Sequence, residues 1–183
     1  MISLEAWLGY QLSTAELCVL LDFSGQAEIG GIPPLNPAVP AMQQACDSLE
    51  EKGLMFSAGG DVLLDETVRG LIGDMAAAPV ILTLDGRGIL LSVYGGERCW
   101  IMLFRTGRGT WQLTAVQTEE EAFEMADAFV REAGGHLRAT AETRVGLLFS
   151  SRLGASWEDV FPTLWARVHT EVNRRIENDL IGE

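Results

Sequence analysis

The sequence predicts an α+β protein: an N-terminal, winged-helix-like helical lobe over residues 1–78, then a four-stranded antiparallel meander packed with C-terminal helices over residues 79–183. Three observations carry this prediction. Capping boxes, Ser13-x-x-Glu16 and Thr118-x-x-Glu121, open apolar-periodic stretches in each half. Four strand-like runs between residues 79 and 117 are separated by glycine-rich turns, and Asp-Gly and Gly-Gly pairs are strong hairpin signals. Helix, loop, helix, hairpin, helix in the first half is the order of a winged-helix-like lobe. At 183 residues the two halves suit one compact unit.

The first helix runs from Thr14 to Asp22 behind the Ser13 cap, with Leu17, Val19, Leu20, Leu21 and Phe23 as a broad apolar surface. The preceding Leu4 to Leu12 fits a strand or a short helix. Residues 25–40 are loop, because Gly30-Gly31, Pro33-Pro34 and Asn36-Pro37 break any helix. A second helix spans Ala38 to Lys52, with Pro40 in its first turn and Gly53 after its end. Gly53 to Leu64 reads as a hairpin around Gly59-Gly60, and a third helix spans Asp65 to Ala78 until Pro79 stops it.

The meander runs are Val80–Asp85, Ile89–Tyr94, Arg98–Arg105 and Thr110–Gln117. In the last, Trp111, Leu113 and Ala115 alternate with Thr110, Gln112 and Thr114, which predicts one buried and one wetter face. Cys99–Phe104 is apolar on both faces. It must be central, covered on both sides, or part of a subunit interface, and the last alternative would make a homodimer. Thr118 opens a helix to Ala133, closed by Gly134-Gly135. Leu137 to Phe149 fits a strand or a helix. The C-terminal helix starts at the Ser156 cap with a kink at Pro162, or starts at Pro162 itself.

The formal charge of −13 is unevenly spread. Residues 1–78 carry eleven acids against Lys52 and Arg69, and the last third carries thirteen acids against seven arginines. Only residues 79–117 are net positive, with Arg87, Arg98, Arg105 and Arg108 against Asp85 and Glu97. An anionic surface repels phosphate backbones and anionic lipid, so the sequence predicts neither a nucleic-acid nor a membrane partner. The start of the chain has no basic segment leading an apolar one, and three isolated cysteines suit a reducing compartment, so the expected location is cytoplasmic.

Catalytic and metal motifs are missing. His136 and His169 stand alone, no CxxC or HExxH spacing occurs, and Ser150-Ser151 lacks a GxSxG elbow. Carboxylates at Glu50-Glu51, Glu119–Glu121 and Glu158-Asp159 lie at helix ends, where solvated acids are ordinary. No GxGxxG or GxxxxGK[ST] fingerprint marks a cofactor site, so no catalytic residue, metal or cofactor is expected. Arg105-Thr-Gly-Arg108-Gly can cradle an anion, although with a strand and not a helix after it a plain hairpin turn is the simpler explanation; its arginines still lie in the one net-positive section of the chain. Arg105 and Arg108 are therefore candidate contacts for an acidic partner. The cluster Trp157, Phe161 and Trp165 is a second candidate, and its helical spacing also fits a core face.

Leu12-Ser13-Thr14-Ala15-Glu16-Leu17, Leu49-Glu50-Glu51-Lys52-Gly53-Leu54, the Gly59-Gly60 turn and Asp65 to Pro79 together resemble the EspG-type cytosolic chaperones of type VII (ESX) secretion. The resemblance covers residues 12–117. It implies a two-part α/β fold and a non-enzymatic protein that binds secretion substrates near a sheet-edge loop and a helical bundle.

The resulting expectation is a protein-interaction module, a secretion-associated chaperone or adaptor. The alternatives are a winged-helix-like transcriptional regulator, disfavoured by Asp47, Glu50, Glu51, Asp65, Glu66 and Asp74 on the would-be reading helices, and a small-ligand-binding domain with a pocket between meander and helices.

Overall fold

The computed structural model describes residues 9–26, 28–106 and 109–181. The chain is α+β, as predicted, with a mixed order of elements around one large antiparallel sheet. In chain order these are β1 (Tyr10–Ser13), α1 (Thr14–Phe23), α2 (Val39–Glu51), the hairpin β2 (Met55–Ala58) and β3 (Asp61–Leu64), α3 (Glu66–Ala77), β4 (Val80–Gly86), β5 (Ile89–Gly95), β6 (Trp100–Arg105), β7 (Thr110–Val116), α4 (Glu119–Glu132), β8 (Arg138–Thr143), β9 (Gly146–Arg152) and α5 (Trp157–Ile181).

The sheet differs from the predicted one in size. It has seven strands in the order β1-β7-β6-β5-β4-β8-β9, so the four-stranded meander is only its middle. β1 extends it beyond β7, in the register Tyr10↔Leu113 to Ser13↔Thr110. β8 and β9 extend it beyond β4, which assigns the undecided segment after Gly135 to strands. The physical reason is the meander's own edges: β4 and β7 would otherwise leave rows of backbone donors and acceptors unpaired. Residues 4–8 lie outside the described residues.

Each face of the sheet carries its own apolar layer. On one face Val80, Leu82, Leu84, Leu91, Val93, Trp100, Met102 and Phe104 meet α4 and α5 through Ala122, Ala126, Phe129, Phe161, Leu164, Trp165 and Val168. Aromatic rings interlock there, with Trp100 stacked on Trp165 at 5.5 Å and Phe104 edge-on to Phe129 at 5.5 Å. On the other face Tyr94, Ile101, Leu103, Trp111 and Leu113 meet Leu17, Leu20, Leu49, Val68, Ile72 and Met75 from α1, α2 and α3. The period of two along β6 thus feeds two cores at once. Both faces of β6 are covered within the chain, so its doubly apolar sequence needs no subunit interface.

This packing corrects the winged-helix expectation. The elements occur in the predicted order, but α1, α2 and α3 do not close a core of their own; they spend their apolar faces on the sheet. The β2–β3 hairpin is a separate two-stranded sheet, turned by Gly59 and Gly60 at φ 65° and 94°. β7 also departs from the alternation read in its sequence: Gln112 and Thr114 are buried along with Trp111 and Leu113, while Ala115 is exposed. Helices on both faces leave that strand no wet side.

Helix boundaries follow the caps. Both capping boxes form, with Glu16 N bonded to Ser13 Oγ and Glu121 N to Thr118 Oγ1 at 3.2 Å each. α5 begins at Trp157 and carries Pro162 in its second turn, so it does not start at the proline. Glu158 and Pro162 are both exposed, where water can take over the carbonyl that the proline leaves unbonded. Asp65 caps α3 by accepting from Thr67 N at 3.0 Å and Val68 N at 3.1 Å. Asp65→Ala is expected to destabilise the protein by about 1 kcal/mol. Thermal denaturation should register this as a drop in Tm of roughly 2–4 °C.

Candidate ligand-binding cleft

The first turn of α1, the flank of α2, the proline loop 33–37 and the β6–β7 turn converge on an open cleft of about 890 Å³. Its floor is built by sequence-distant residues that satisfy one another. Glu16, third in α1, is 3% exposed and accepts from Ser13 N at 2.6 Å, Ser48 Oγ at 2.8 Å and Lys52 Nζ at 2.6 Å. Burial pushes the Glu16 carboxyl up, but Lys52 and the Ser13 and Ser48 donors outweigh it and hold the group below its usual value. Glu16 is thus an ionised and saturated acceptor, a strut rather than a poised base. Lys52 also donates to the Gln11 carbonyl at 3.0 Å, so it clamps β1, α1 and α2 together.

A second strut holds α1 to the sheet. Trp111 Nε1 donates to Thr14 Oγ1 at 3.1 Å, and that hydroxyl donates onward to the Gly109 carbonyl at 3.0 Å. The proline wall is tethered in turn. Ser92 Oγ donates to the Gly31 carbonyl at 2.6 Å and Tyr94 Oη to the Gly30 carbonyl at 3.0 Å. Burial pushes the Tyr94 phenol far up, which keeps it a neutral donor. Gly31, at φ 78°, lies so close to β4 and β5 that a Cβ there would meet Ile81 Cγ2 at 2.9 Å and Ser92 Oγ at 3.1 Å. The glycine pair read as a helix breaker therefore has a second duty: it lets the loop lie flat on the sheet and aims Pro33, Pro34 and Pro37 at the cleft.

Among the described lining residues, Arg105 is the one with a buried side-chain polar atom left over. It ends β6 beside its cross-strand partner Trp111, with the guanidinium carbon 5.6 Å from the indole centroid. Its Nε is buried, and among the described residues that atom has no hydrogen-bond partner and the side chain makes no ion pair. A buried guanidinium N–H without an acceptor costs free energy unless something supplies one.

The other candidate residues fall elsewhere. Arg108 lies outside the described residues. Trp157, Phe161 and Trp165 are 9%, 0% and 4% exposed and belong to the core under α4 and α5. Trp165 keeps a polar contact, its Nε1 donating to Glu119 Oε1 at 2.8 Å. His169, expected on the helix surface, pairs through Nδ1 with the other oxygen of Glu119 and lies 3.0 Å from Asn173 Nδ2 through Nε2. The two contacts with Glu119 tie α5 to the first turn of α4. The structure brings Arg105 together with Glu16, Ser48, Lys52, Thr14 and Trp111, which sequence reading did not group. Only the Ser13–Glu16 capping box pointed toward one of them, and it explained Glu16 by local geometry alone.

Among the described residues, no group of three His, Cys, Asp or Glu is placed to hold a metal ion, and no helix is long and apolar enough to cross a membrane. No family model matches the chain, and no curated protein matches it at a significant level.

Proposed function

We propose that the chain is a non-enzymatic protein-interaction module, a chaperone or adaptor that receives a segment of a partner protein in the Arg105 cleft. The observation that carries this reading is the state of the cleft's polar groups. Glu16, Thr14, Ser48 and Lys52 are engaged with one another, and Arg105 is left with an unmet buried donor. Such a site is built to hold something rather than to move protons. A cytoplasmic location and a role near type VII secretion accord with the EspG-type resemblance and belong to the same proposal.

A photo-crosslinking residue in place of the exposed Gln44, on the cleft wall, tests the reading in cells of the source organism. It should give a discrete protein adduct that Arg105→Glu abolishes. The same probe at Arg144, in the β8–β9 turn, is the comparison. If Gln44 yields no adduct beyond those from Arg144, the reading fails.

The size of the cleft favours one second reading, a small-ligand-binding domain, since 890 Å³ falls within the range of metabolite pockets. That reading requires thermal stabilisation by a metabolite below peptide size.

A further inference from the structure

We infer that Arg105 is the recognition residue of the cleft and that its ligand is a carboxylate, an Asp or Glu side chain on an extended segment of the partner protein. This rests on the protein-binding reading above and specifies the chemistry that selects the partner.

The charges lining the cleft run against the molecule as a whole. In a chain of net charge −13, the described lining residues present one carboxylate, Glu16, against two cations, Lys52 and Arg105. Glu16 and Lys52 neutralise each other at 2.6 Å. Among the described lining residues, what remains to an incoming group is the positive charge of Arg105. Arg105 is presented in a fixed pose: its stem leaves the end of β6, its guanidinium lies over Trp111, and Trp111 is itself held by Thr14. A planar fork held in one orientation is suited to the two oxygens of a carboxylate.

A phosphate dianion asks for more than one free cation, and among the described lining residues Arg105 alone is free of an ion pair. The rest of the wall suits polypeptide. Pro33, Pro34 and Pro37 give an apolar side that has no backbone N–H donors of its own. Asn36 and Gln44 are exposed on the rim, with no side-chain hydrogen bond among the described residues, and can meet the amides of an extended chain.

The test is NMR observation of the Arg105 Nε–H resonance, assigned through Arg105→Lys, in the full-length chain. The probes are a capped pentapeptide with one central Glu between prolines, its Gln counterpart, and inorganic phosphate. The expected result is a saturable shift with the Glu peptide at millimolar concentration, binding about tenfold tighter than the Gln peptide. Followed through the backbone amide shifts of the cleft residues, which every variant keeps, Arg105→Gln should abolish that preference, and Arg87→Gln, at the exposed neighbouring turn, should leave it unchanged.

Equal binding of the Glu and Gln peptides would overturn the carboxylate assignment while leaving the protein-binding reading standing. Tighter binding of phosphate than of the Glu peptide would overturn it in favour of a phosphoryl ligand. A resonance that no probe moves would also overturn it, and the Gln44 crosslinks then decide separately whether the cleft holds protein.

Discussion

Gly135→Ala is expected to lower Tm by about 10 °C, whereas Gly134→Ala, one residue earlier, should lower it by only a few degrees. Both glycines close α4 in the left-handed region, at φ 65° and 71°, with their N–H groups bonded back to Arg131 and Val130 carbonyls at 3.1 Å. Both substitutions therefore carry the backbone strain of an L-residue there, roughly 1–2 kcal/mol. The difference lies in what the new Cβ meets. At Gly134 the nearest atom is His136 Cδ2 at 3.8 Å, an ordinary contact. At Gly135 it would run into Trp157 Cδ1, with Trp157 Cγ at 2.7 Å and the Gly154 carbonyl oxygen at 2.6 Å.

Neither obstacle can yield cheaply. Trp157 is the first residue of α5 and lies in the core, and the Gly154 carbonyl already accepts the Trp157 N–H at 3.1 Å. Overpacking of this kind adds about 1–3 kcal/mol to the strain. Parallel melting curves of the two variants check the claim. Equal shifts would mean that the end of α4 is not wedged against the start of α5.

Gly135 also marks the limit of what the sequence made legible. The glycine pair announced a helix end, and that reading was right because a local rule, the positive φ of a C-terminal cap, is written in residue type. The contact with Trp157 is a fact of three dimensions and has no local signature. The same division runs through the fold. Capping boxes, proline stops and glycine turns located α1 to α4 and the meander β4–β7 to within a residue or two. β8 went undecided because its inward residues are Ala139 and Ala141, which carry little strand preference, between Arg138, Thr140 and Glu142.

The aromatic residues of α5 obeyed helical spacing and were buried accordingly. At the cleft, Arg105 stood out as a cation in an acidic chain, but its environment draws on residues up to 97 positions apart along the chain, as in the Thr14–Trp111 bond. No spacing rule reaches that far. Glu16 shows the same gap from the other side: the capping box explained one of its bonds, and Ser48 and Lys52 supply the rest from α2 and its end.

Glu16→Gln is accordingly expected to destabilise the protein by about 2–3 kcal/mol at neutral pH, well beyond the loss of a helix cap. Glutamine keeps the shape of the side chain but not its charge. It cannot accept from Ser13 N, Ser48 Oγ and Lys52 Nζ as the carboxylate does, and its amide turns a donor toward one of them. Lys52 softens the penalty, since its side chain is 39% exposed and its ammonium can return to water.

The pH dependence has a definite sign. The folded-state pKa of Glu16 lies below its ordinary value of 4.5, so its contribution to stability is complete above 4.5 and is lost as the pH falls through the folded-state value. Urea midpoints of wild type and Glu16→Gln should therefore differ by a constant amount from neutral pH down to about pH 5 and converge below it. A gap that persists unchanged into strong acid would show that the misplaced amide donor, and not the lost carboxylate charge, weakens the joint between α1 and α2. Because Lys52 released from Glu16 becomes a second free cation in the cleft, the same variant should bind the Glu pentapeptide at least as well as wild type. Weaker binding would mean that Glu16 positions the ligand site and does more than brace its floor.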